Sequence, residues 1–183
     1  MTALEPETIH TDRLTLLPLR VEHAGEMAAV LSDPGLHTFI GGSPDSAQAL
    51  RARYERWAAG SPDPAVSWCN WVIQLRDAAC LTGTVQATMT TDDRGAAAEI
   101  AWVVGTRWQG RGYAREAAQG LVAWLRQRAT VRCAHTAAPP VRTVVAHIHP
   151  DHLASAAVAR AAGLLPTDEE QDGETRWRRV LRP

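Results

Sequence analysis

The chain has 183 residues, of which 45% are hydrophobic and 21% charged, and its formal net charge at pH 7 is −1. This length supports one domain with a core of its own, and this composition excludes a disordered chain. The near-neutral charge excludes the broad basic surface that non-specific binding to nucleic acid requires.

Hydrophobic spacing in the first half of the chain predicts a strand, two helices and a hairpin. The strand covers residues 13–20, and the first helix covers residues 21–31 and ends before a Ser-Asp-Pro-Gly sequence. The second helix covers about residues 44–58. Two runs rich in β-branched and aromatic residues, 68–75 and 81–91, form the hairpin around an Arg-Asp-Ala-Ala turn.

The strongest helical pattern lies beyond the middle of the chain. A third strand, residues 97–104, follows a polar turn at residues 92–95 and leads towards this helix. Small and branched apolar residues recur there at i, i+3, i+4, i+7 and i+11 and form one stripe: Ala114, Ala117, Ala118, Leu121 and Leu125. A loop that contains a Pro pair, residues 129–140, follows the helix.

The remaining residues predict a strand at 143–148, an Ala-rich helix at 151–162 capped by Gly163, and two further strands. The last strand, residues 177–181, follows an acidic turn at residues 168–173. The complete order is strand, two helices, three strands, helix, strand, helix and two strands. It predicts an α+β (mixed α/β) domain built around one sheet.

The cysteines indicate a reducing compartment. Cys69, Cys80 and Cys133 are odd in number and widely spaced, which argues against a disulfide framework or a zinc ribbon and favours the cytoplasm. The first residues are acidic rather than basic and apolar, so we expect no signal peptide. We also expect no membrane span, because no apolar run approaches the length that one requires.

The segment from Glu99 to Ala114 combines a strand, a glycine-containing turn and a helix start. Gly110 and Gly112 allow the backbone to approach a ligand closely, and the unpaired N–H groups of a helix start attract phosphate. The nearby basic residues Arg107, Arg111 and Arg115 add positive charge. Because the chain contains no Lys, a Walker loop, a Schiff base and a lysine catalyst are all excluded. A tight turn without a ligand is the alternative interpretation.

The sequence Gln-Gly-Arg-Gly-Tyr-Ala at 109–114 resembles the Q/R-x-x-G-x-G/A pyrophosphate signature of the GCN5-related N-acetyltransferases. Other segments are similar to the branch typified by the ribosomal-protein alanine acetyltransferases, namely 11–16, 33–34, 110–117, 149–155 and 163–164. The resemblance covers about residues 11–165. His152 stands where that branch has Asn, and the loop at 129–142 is longer than the family pattern.

The resemblance implies one domain over residues 1–183, with residues 1–10 flexible. It implies a mostly antiparallel sheet of about six to seven strands, splayed at the cofactor and flanked by about four helices. The implied activity is acetyl transfer from acetyl-CoA or another short acyl-CoA to a primary amine of a small molecule or a protein amino terminus. No metal, nucleic acid or membrane partner is implied. A homodimer is a common assembly among proteins of the family that the sequence resembles. The alternative is a CoA-binding regulator or degenerate member that no longer transfers.

The resemblance also implies which residues bind the cofactor. The pyrophosphate is assigned to the turn and helix start, Gln109, Gly110, Arg111, Gly112, Tyr113 and Ala114. The pantetheine arm is assigned to the strand edge, Trp102, Val103 and Val104, where one N–H, from Val103 or a neighbour, stabilises the oxyanion. His152 is assigned to the cofactor site as a substitute for the family Asn.

Two residues are candidates for catalysis. Glu99 lies on the strand assigned to the thioester, on the face shared with Ala97, Ala101 and Val103, and is a candidate general base acting directly or through water. Ser155 lies where the family places a residue near the departing sulfur. The alternatives are a solvated strand carboxylate for Glu99 and a small packing residue for Ser155.

Two further groups of residues have competing interpretations. His147, His149 and His152, with Cys133 and His135 upstream, are conceivable metal ligands, although their spacing matches no known ligand pattern. Among the tryptophans, Trp57, Trp68 and Trp71 are candidates either for an apolar acceptor pocket or for the core.

Overall fold

The computed structural model describes residues 5–39, 41–92, 95–130 and 140–181. These residues form one eight-stranded sheet in the order β1-β2-β3-β4-β5-β6-β8-β7. Neighbouring strands are antiparallel except β5 and β6, which are parallel. The strands are β1 (Ile9–His10), β2 (Leu14–Pro18), β3 (Val66–Leu75), β4 (Leu81–Asp92), β5 (Gly95–Val104), β6 (Val141–Ile148), β7 (Leu165–Gln171) and β8 (Glu174–Val180).

Four α-helices of the described residues cover the two faces of this sheet: α1 (Ala24–Val30), α2 (Ala47–Ala58), α3 (Tyr113–Thr130) and α4 (Leu153–Ala161). Short 3-10 turns at Val21–His23, Pro34–His37 and Thr106–Trp108 connect the elements. The predicted mixed α/β architecture is therefore confirmed. None of the helices in the described ranges is long and apolar enough to cross a membrane.

The core is divided by the sheet into two clusters. The stripe predicted on α3 packs against one face, where Ala117, Ala118, Leu121 and Leu125 are fully buried. On the other face α1 and α2 pack around Val72 and other apolar residues. Alternate residues of β3 supply the two clusters, as the period of a strand requires.

Most predicted boundaries are within a few residues of the observed ones. The 76–79 turn joins β3 to β4, with Ala79 at a positive φ of 51°. Gly163 has a φ of +82° and follows α4, as its predicted capping role requires. Residues 129 and 130 belong to α3, and residues 131–139 of the predicted loop lie outside the described residues.

The sheet has eight strands where six to seven were expected, and the additional strand is the short β1. Ile9 and His10, expected in a flexible terminus, pair with Leu16 and Thr15. The predicted acidic turn at 168–173 is wrong for residues 168–171, because these continue β7 and the turn is confined to Asp172 and Gly173. β7 is an edge strand with mostly exposed side chains, a position that accepts charged residues because they remain solvated and discourage pairing with other chains.

The parallel pair β5 and β6 is joined over only part of its length. Its register runs from Ala96 opposite Val141 to Glu99 opposite Val145 and stops there. Beyond this point β5 stays paired with β4 as far as Val104, while β6 stays paired with β8 as far as Ile148. The two strands therefore part in the middle of the sheet, and the expected splay is confirmed.

Candidate active site

A large cleft occupies the fork between β5 and β6. Its volume is about 770 Å³, and its walls come from β5, β6, the segment after β5 and all four helices. Because the ladder ends at Glu99, the inner edges of the two strands beyond it no longer bond to each other. A strand edge without its neighbour offers N–H and C=O groups to an extended ligand.

The glycine turn before α3 forms one end of the cleft. Gly110 and Gly112 have φ values of +73° and +81°, which L side chains rarely adopt. The N–H of Glu116 bonds to the Gly112 carbonyl at 3.0 Å, so the preceding N–H groups belong to the helix's unpaired first turn. These groups lie at the positive end of an 18-residue helix and form a site for an anion.

Most residues assigned to the pyrophosphate turn line the cleft: Gln109, Gly110, Gly112, Tyr113 and Ala114. The Gln109 side chain acts within the protein, since its Nε2 donates to the Val104 carbonyl at 3.0 Å. It ties the turn to the end of β5. Arg111 is exposed and does not line the cleft, whereas Arg115 does.

The residues assigned to the pantetheine arm, Trp102, Val103 and Val104, also line the cleft. They end the strand that remains paired with β4. Gly83, opposite Val104, is required there, because a Cβ at this position would lie 2.1 Å from the Val103 carbonyl oxygen.

The start of α4 forms the wall opposite the glycine turn. His152 is its N-cap, and its Nδ1 accepts a long 3.5 Å hydrogen bond from the Ser155 N–H. His152 therefore starts the helix in place of the Asn expected from the family pattern. Burial, followed by the neighbouring His149, lowers the pKa of His152 and so favours the neutral ring. His152 and Ser155 both line the cleft.

Glu99 does not line this cleft. It lies on the other side of His147, in a smaller cavity of about 290 Å³ that also contains Glu169, Glu170 and Arg176. His147 lines both cavities, and its Nδ1 lies 3.0 Å from the Glu99 carboxylate oxygen Oε1. The predicted alternation along β5 is confirmed, since Ala98 and Ile100 are buried while Glu99 faces the opposite side.

Comparisons with known proteins identify the family to which this fold and site belong. The family model described as "Acetyltransferase (GNAT) domain" matches residues 13–165. The chain belongs to the GNAT acetyltransferases. A search of curated proteins finds no significant match to this sequence.

Solved structures support the same fold at low sequence identity. A RimL ribosomal L7/L12 alpha-N-protein acetyltransferase in complex with coenzyme A has a TM-score of 0.72 and 17% identity, covering 96% of this chain and 98% of that one. A Salmonella typhimurium acetyltransferase that modifies the N-terminal serine of L7/L12 has a TM-score of 0.72 and 16% identity, covering 96% and 100%. The microcin C7 self-immunity acetyltransferase MccE, in complex with acetyl-CoA and AMP, has a TM-score of 0.69 and 15% identity, covering 93% of each chain.

In this GNAT acetyltransferase the residues just before β2 hold the glycine turn and the start of α3 in place. The Arg13 guanidinium donates to the Glu116 carboxylate and to the Arg111 carbonyl, at 2.7 and 3.0 Å, and stacks 4.9 Å from the Tyr113 ring centroid. Glu116 also accepts from the Thr11 hydroxyl at 2.6 Å and from the Arg13 N–H at 2.7 Å. These contacts give the family-like segments at 11–16 and 110–117 a physical role.

Asp33 ties the segment after α1 to the same region. Its carboxylate accepts from the Thr106 hydroxyl at 2.6 Å and from the Gly35 N–H at 2.8 Å, and these two bonds lower the pKa of Asp33. Six residues after Asp33 the segment reaches the start of α4, where the Phe39 ring stacks on His152 at a centroid distance of 4.3 Å. Sequence reasoning missed Phe39, because a lone aromatic in a loop carries no periodic signal.

The α1 and α2 side of the cleft carries both apolar and charged groups. Of the three candidate tryptophans, Trp57 lines this side, Trp71 is fully buried in the core, and Trp68 lies on β3 outside the cleft lining. Tyr54, which the sequence analysis also missed, lines the same wall next to an ion pair of Asp45 and Arg53 at 2.9 Å. Burial raises the pKa of Tyr54 to about 12, and its hydroxyl has no hydrogen-bond partner within the described ranges.

His147, His149 and His152 bond to different partners rather than to a common centre. Within the described ranges, no group of three His, Cys, Asp or Glu side chains is placed to hold a metal ion. His149 Nδ1 accepts from the Asp151 N–H at 3.2 Å, while His147 and His152 bond to Glu99 and to Ser155. Cys133 and His135 lie outside the described residues.

Replacing Glu116 with Gln should destabilise the protein at neutral pH and not in acid. Burial alone would raise the pKa of Glu116, but the bonds from Thr11 and Arg13 outweigh it and lower the pKa below 4.5. A carboxylate whose pKa is lowered on folding stabilises the fold above its ordinary pKa, and this contribution is lost as the pH falls through the lowered value. Glu116→Gln should therefore cost about 1–2 kcal/mol near pH 7, measured by urea unfolding, and progressively less below pH 4.5.

Glu55→Gln is the matched control. Glu55 is an exposed helical glutamate whose pair with Arg51 is long, 3.5 Å. Its substitution should change the unfolding free energy by less than about 0.5 kcal/mol. An equal loss in both variants, or a Glu116→Gln loss that persists in acid, would contradict the role assigned to the bonds from Thr11 and Arg13 to Glu116.

Proposed function

We propose that this GNAT acetyltransferase transfers an acetyl group from acetyl-CoA to a primary amine by direct attack of the amine on the thioester. The observation that carries the proposal is one continuous cleft joining an anion-binding helix start to an unpaired strand edge. The structural relatives bound to coenzyme A and to acetyl-CoA support the choice of donor.

The helix start and the fork together fit the shape and charge of this donor. The N–H groups from Gly110 to Ala114 hold the pyrophosphate, while the Gln109 N–H bonds to the Thr106 carbonyl. This local site explains how a chain of net charge −1 binds a polyanion. The pantetheine amides pair with the free backbone groups of Trp102 and Val104 on the edge of β5, while the backbone of Val103, between them, bonds to β4. An N–H of that edge, such as that of Val104, then stabilises the oxyanion that forms when the amine attacks.

The two candidate catalytic residues lie on different elements, Ser155 on α4 and Glu99 on β5. Ser155, on the α4 wall, donates a hydrogen bond to the departing thiolate. Glu99 draws the proton from the ammonium of the acceptor, but it needs an intermediary because it lies beyond the cleft lining. The cleft wall that faces α1 and α2 receives the acceptor, whose class is a small-molecule amine or a protein amino terminus. The RimL-type relatives favour the second class.

The proposal is tested by direct binding and turnover. Calorimetry with acetyl-CoA should show stoichiometric binding. Release of free CoA should then be measured with Ser- and Ala-terminated peptides, spermidine and an aminoglycoside as acceptors. Turnover with an amine, with the acetylated amide confirmed by mass spectrometry, supports the proposal. Tight binding without turnover for any acceptor would favour the CoA-binding regulator instead, and absence of binding would overturn both.

Gly112→Ala should weaken acetyl-CoA binding about tenfold, as measured by calorimetry, because its φ of +81° places the N–H groups at the helix start. The control is Gly173→Ala, whose φ is +83° in the turn between β7 and β8, with open space around the added Cβ. Both variants should lose a similar unfolding free energy of about 1–2 kcal/mol. Equal affinity in the two variants would show that the glycine turn does not bind the donor.

Ser155→Ala should lower kcat about tenfold while the dissociation constant for acetyl-CoA stays within twofold, because the hydroxyl acts on the leaving thiolate only during reaction. Ser155→Thr retains the hydroxyl and should keep more activity than the Ala variant. The measurement is steady-state kinetics with the best acceptor of the panel. A Ser155→Ala variant with unchanged kcat would assign the residue to packing of α4.

A further inference from the structure

We propose that His147 is the residue that takes the proton from the acceptor ammonium, and that Glu99 is a positioning residue that acts through it. This inference rests on the proposed function and assigns the intermediary that the position of Glu99 requires. It differs from the interpretation of Glu99 as a base acting directly or through water.

The place of His147 in the sheet supports this role. Glu99 and Val145 are the last residues at which β5 and β6 pair with each other. His147 lies two residues further along β6, where the fork begins. Its side chain is 13% exposed and lines both the large cleft and the cavity that contains Glu99. It is therefore the side chain that joins the carboxylate to the space in which the acceptor and the thioester would meet.

The contact between the two side chains determines the proton positions on the ring. A carboxylate without a proton can only accept, so the 3.0 Å contact requires His147 Nδ1 to carry a hydrogen and donate it to Glu99 Oε1. In the neutral ring Nε2 then carries no hydrogen and is free to accept one. An orienting carboxylate behind a catalytic imidazole works in the same way in other enzymes, where it selects the tautomer and stabilises the imidazolium.

The surrounding charges are mixed. Arg176 on β8 is the cross-strand partner of His147, and it pairs with Glu169 of β7. Glu170 of β7 lines the same cavity, and His149 follows on β6 itself. Because Glu169 is paired with Arg176, Glu99 is the carboxylate bonded directly to the imidazole. The imidazolium formed during reaction would therefore be stabilised chiefly by Glu99.

The proton balance of the step is complete. His147 Nε2 removes one proton from the acceptor ammonium, and the neutral amine forms a C–N bond with the thioester carbonyl carbon. Collapse of the tetrahedral intermediate breaks the C–S bond, and the second nitrogen proton ends on the thiolate, giving the amide and free CoA. His147 then releases its proton to solvent, so one proton is produced for each acetyl group transferred.

The kinetic test uses His147→Gln, with His10→Gln on the distant β1 strand as the control. At neutral pH the first variant should lose about 100-fold in kcat with an unchanged dissociation constant for acetyl-CoA. The loss should shrink at least tenfold at alkaline pH, where more of the acceptor is already a free amine, and imidazole added to His147→Ala should restore part of the rate. Glu99→Gln should show a smaller loss of the same kind. A pH-independent loss, or a His147→Gln rate within twofold of wild type, overturns the proposal.

A second measurement needs no acceptor. In ¹⁵N-labelled protein, His147 should show a hydrogen-bearing Nδ1 and a bare Nε2 when neutral, and Glu99→Gln should change this tautomer ratio while leaving that of His10 unchanged. The opposite tautomer, or no response to Glu99→Gln, overturns the assignment even if no amine in the panel reacts. The two proposals can fail separately. If the acetyltransferase proposal fails, no acceptor is turned over, whereas the tautomer of His147 still shows whether Glu99 orients its ring.

Discussion

The parting of β5 from β6 is the constraint on which the rest of the site depends. Each strand keeps its outer neighbour, β4 or β8, so the fork leaves unpaired only the two inner edges beyond Glu99 and Val145. Unpaired backbone groups inside a protein are costly unless a ligand, water or side chain satisfies them. Gln109 satisfies one of them at Val104, and the remaining edge is best explained as a place for an extended ligand.

The fork would not select a donor without the glycine turn beside it, and that turn depends on distant parts of the chain. Glu116 and Arg13 are 103 residues apart in sequence, and Thr106 and Asp33 are 73 apart. The charged bonds at Glu116 are partly shielded from solvent, with a side-chain exposure of 16%, so they are stronger than those of a surface pair. The amino-terminal third therefore acts as a support that holds the helix start in position.

The sequence predicted the faces of individual helices and strands well, but it predicted less well which residues of different elements lie together. The α3 stripe and the alternation of β5 are repeats of one element's geometry, and the structure confirms both. The second half of the edge strand β7, residues 168–171, was assigned to a turn because acidic residues are rare in strands, although a solvated edge accepts them. Glu99 was placed on the correct face, but the cavity that it lines is decided by where β6 diverges, and no local pattern contains that information.

The three histidines near the fork show why residue type alone predicts little about role. A backbone N–H can only donate, so the bonds to His149 and His152 leave Nδ1 bare and place the hydrogen of each neutral ring on Nε2. The Glu99 carboxylate imposes the opposite tautomer on His147. His152 stacks against Phe39, and burial lowers its pKa, which favours the neutral ring that caps the helix. One carboxylate on a neighbouring strand therefore gives His147 a different tautomer from the two histidines that accept backbone hydrogen bonds.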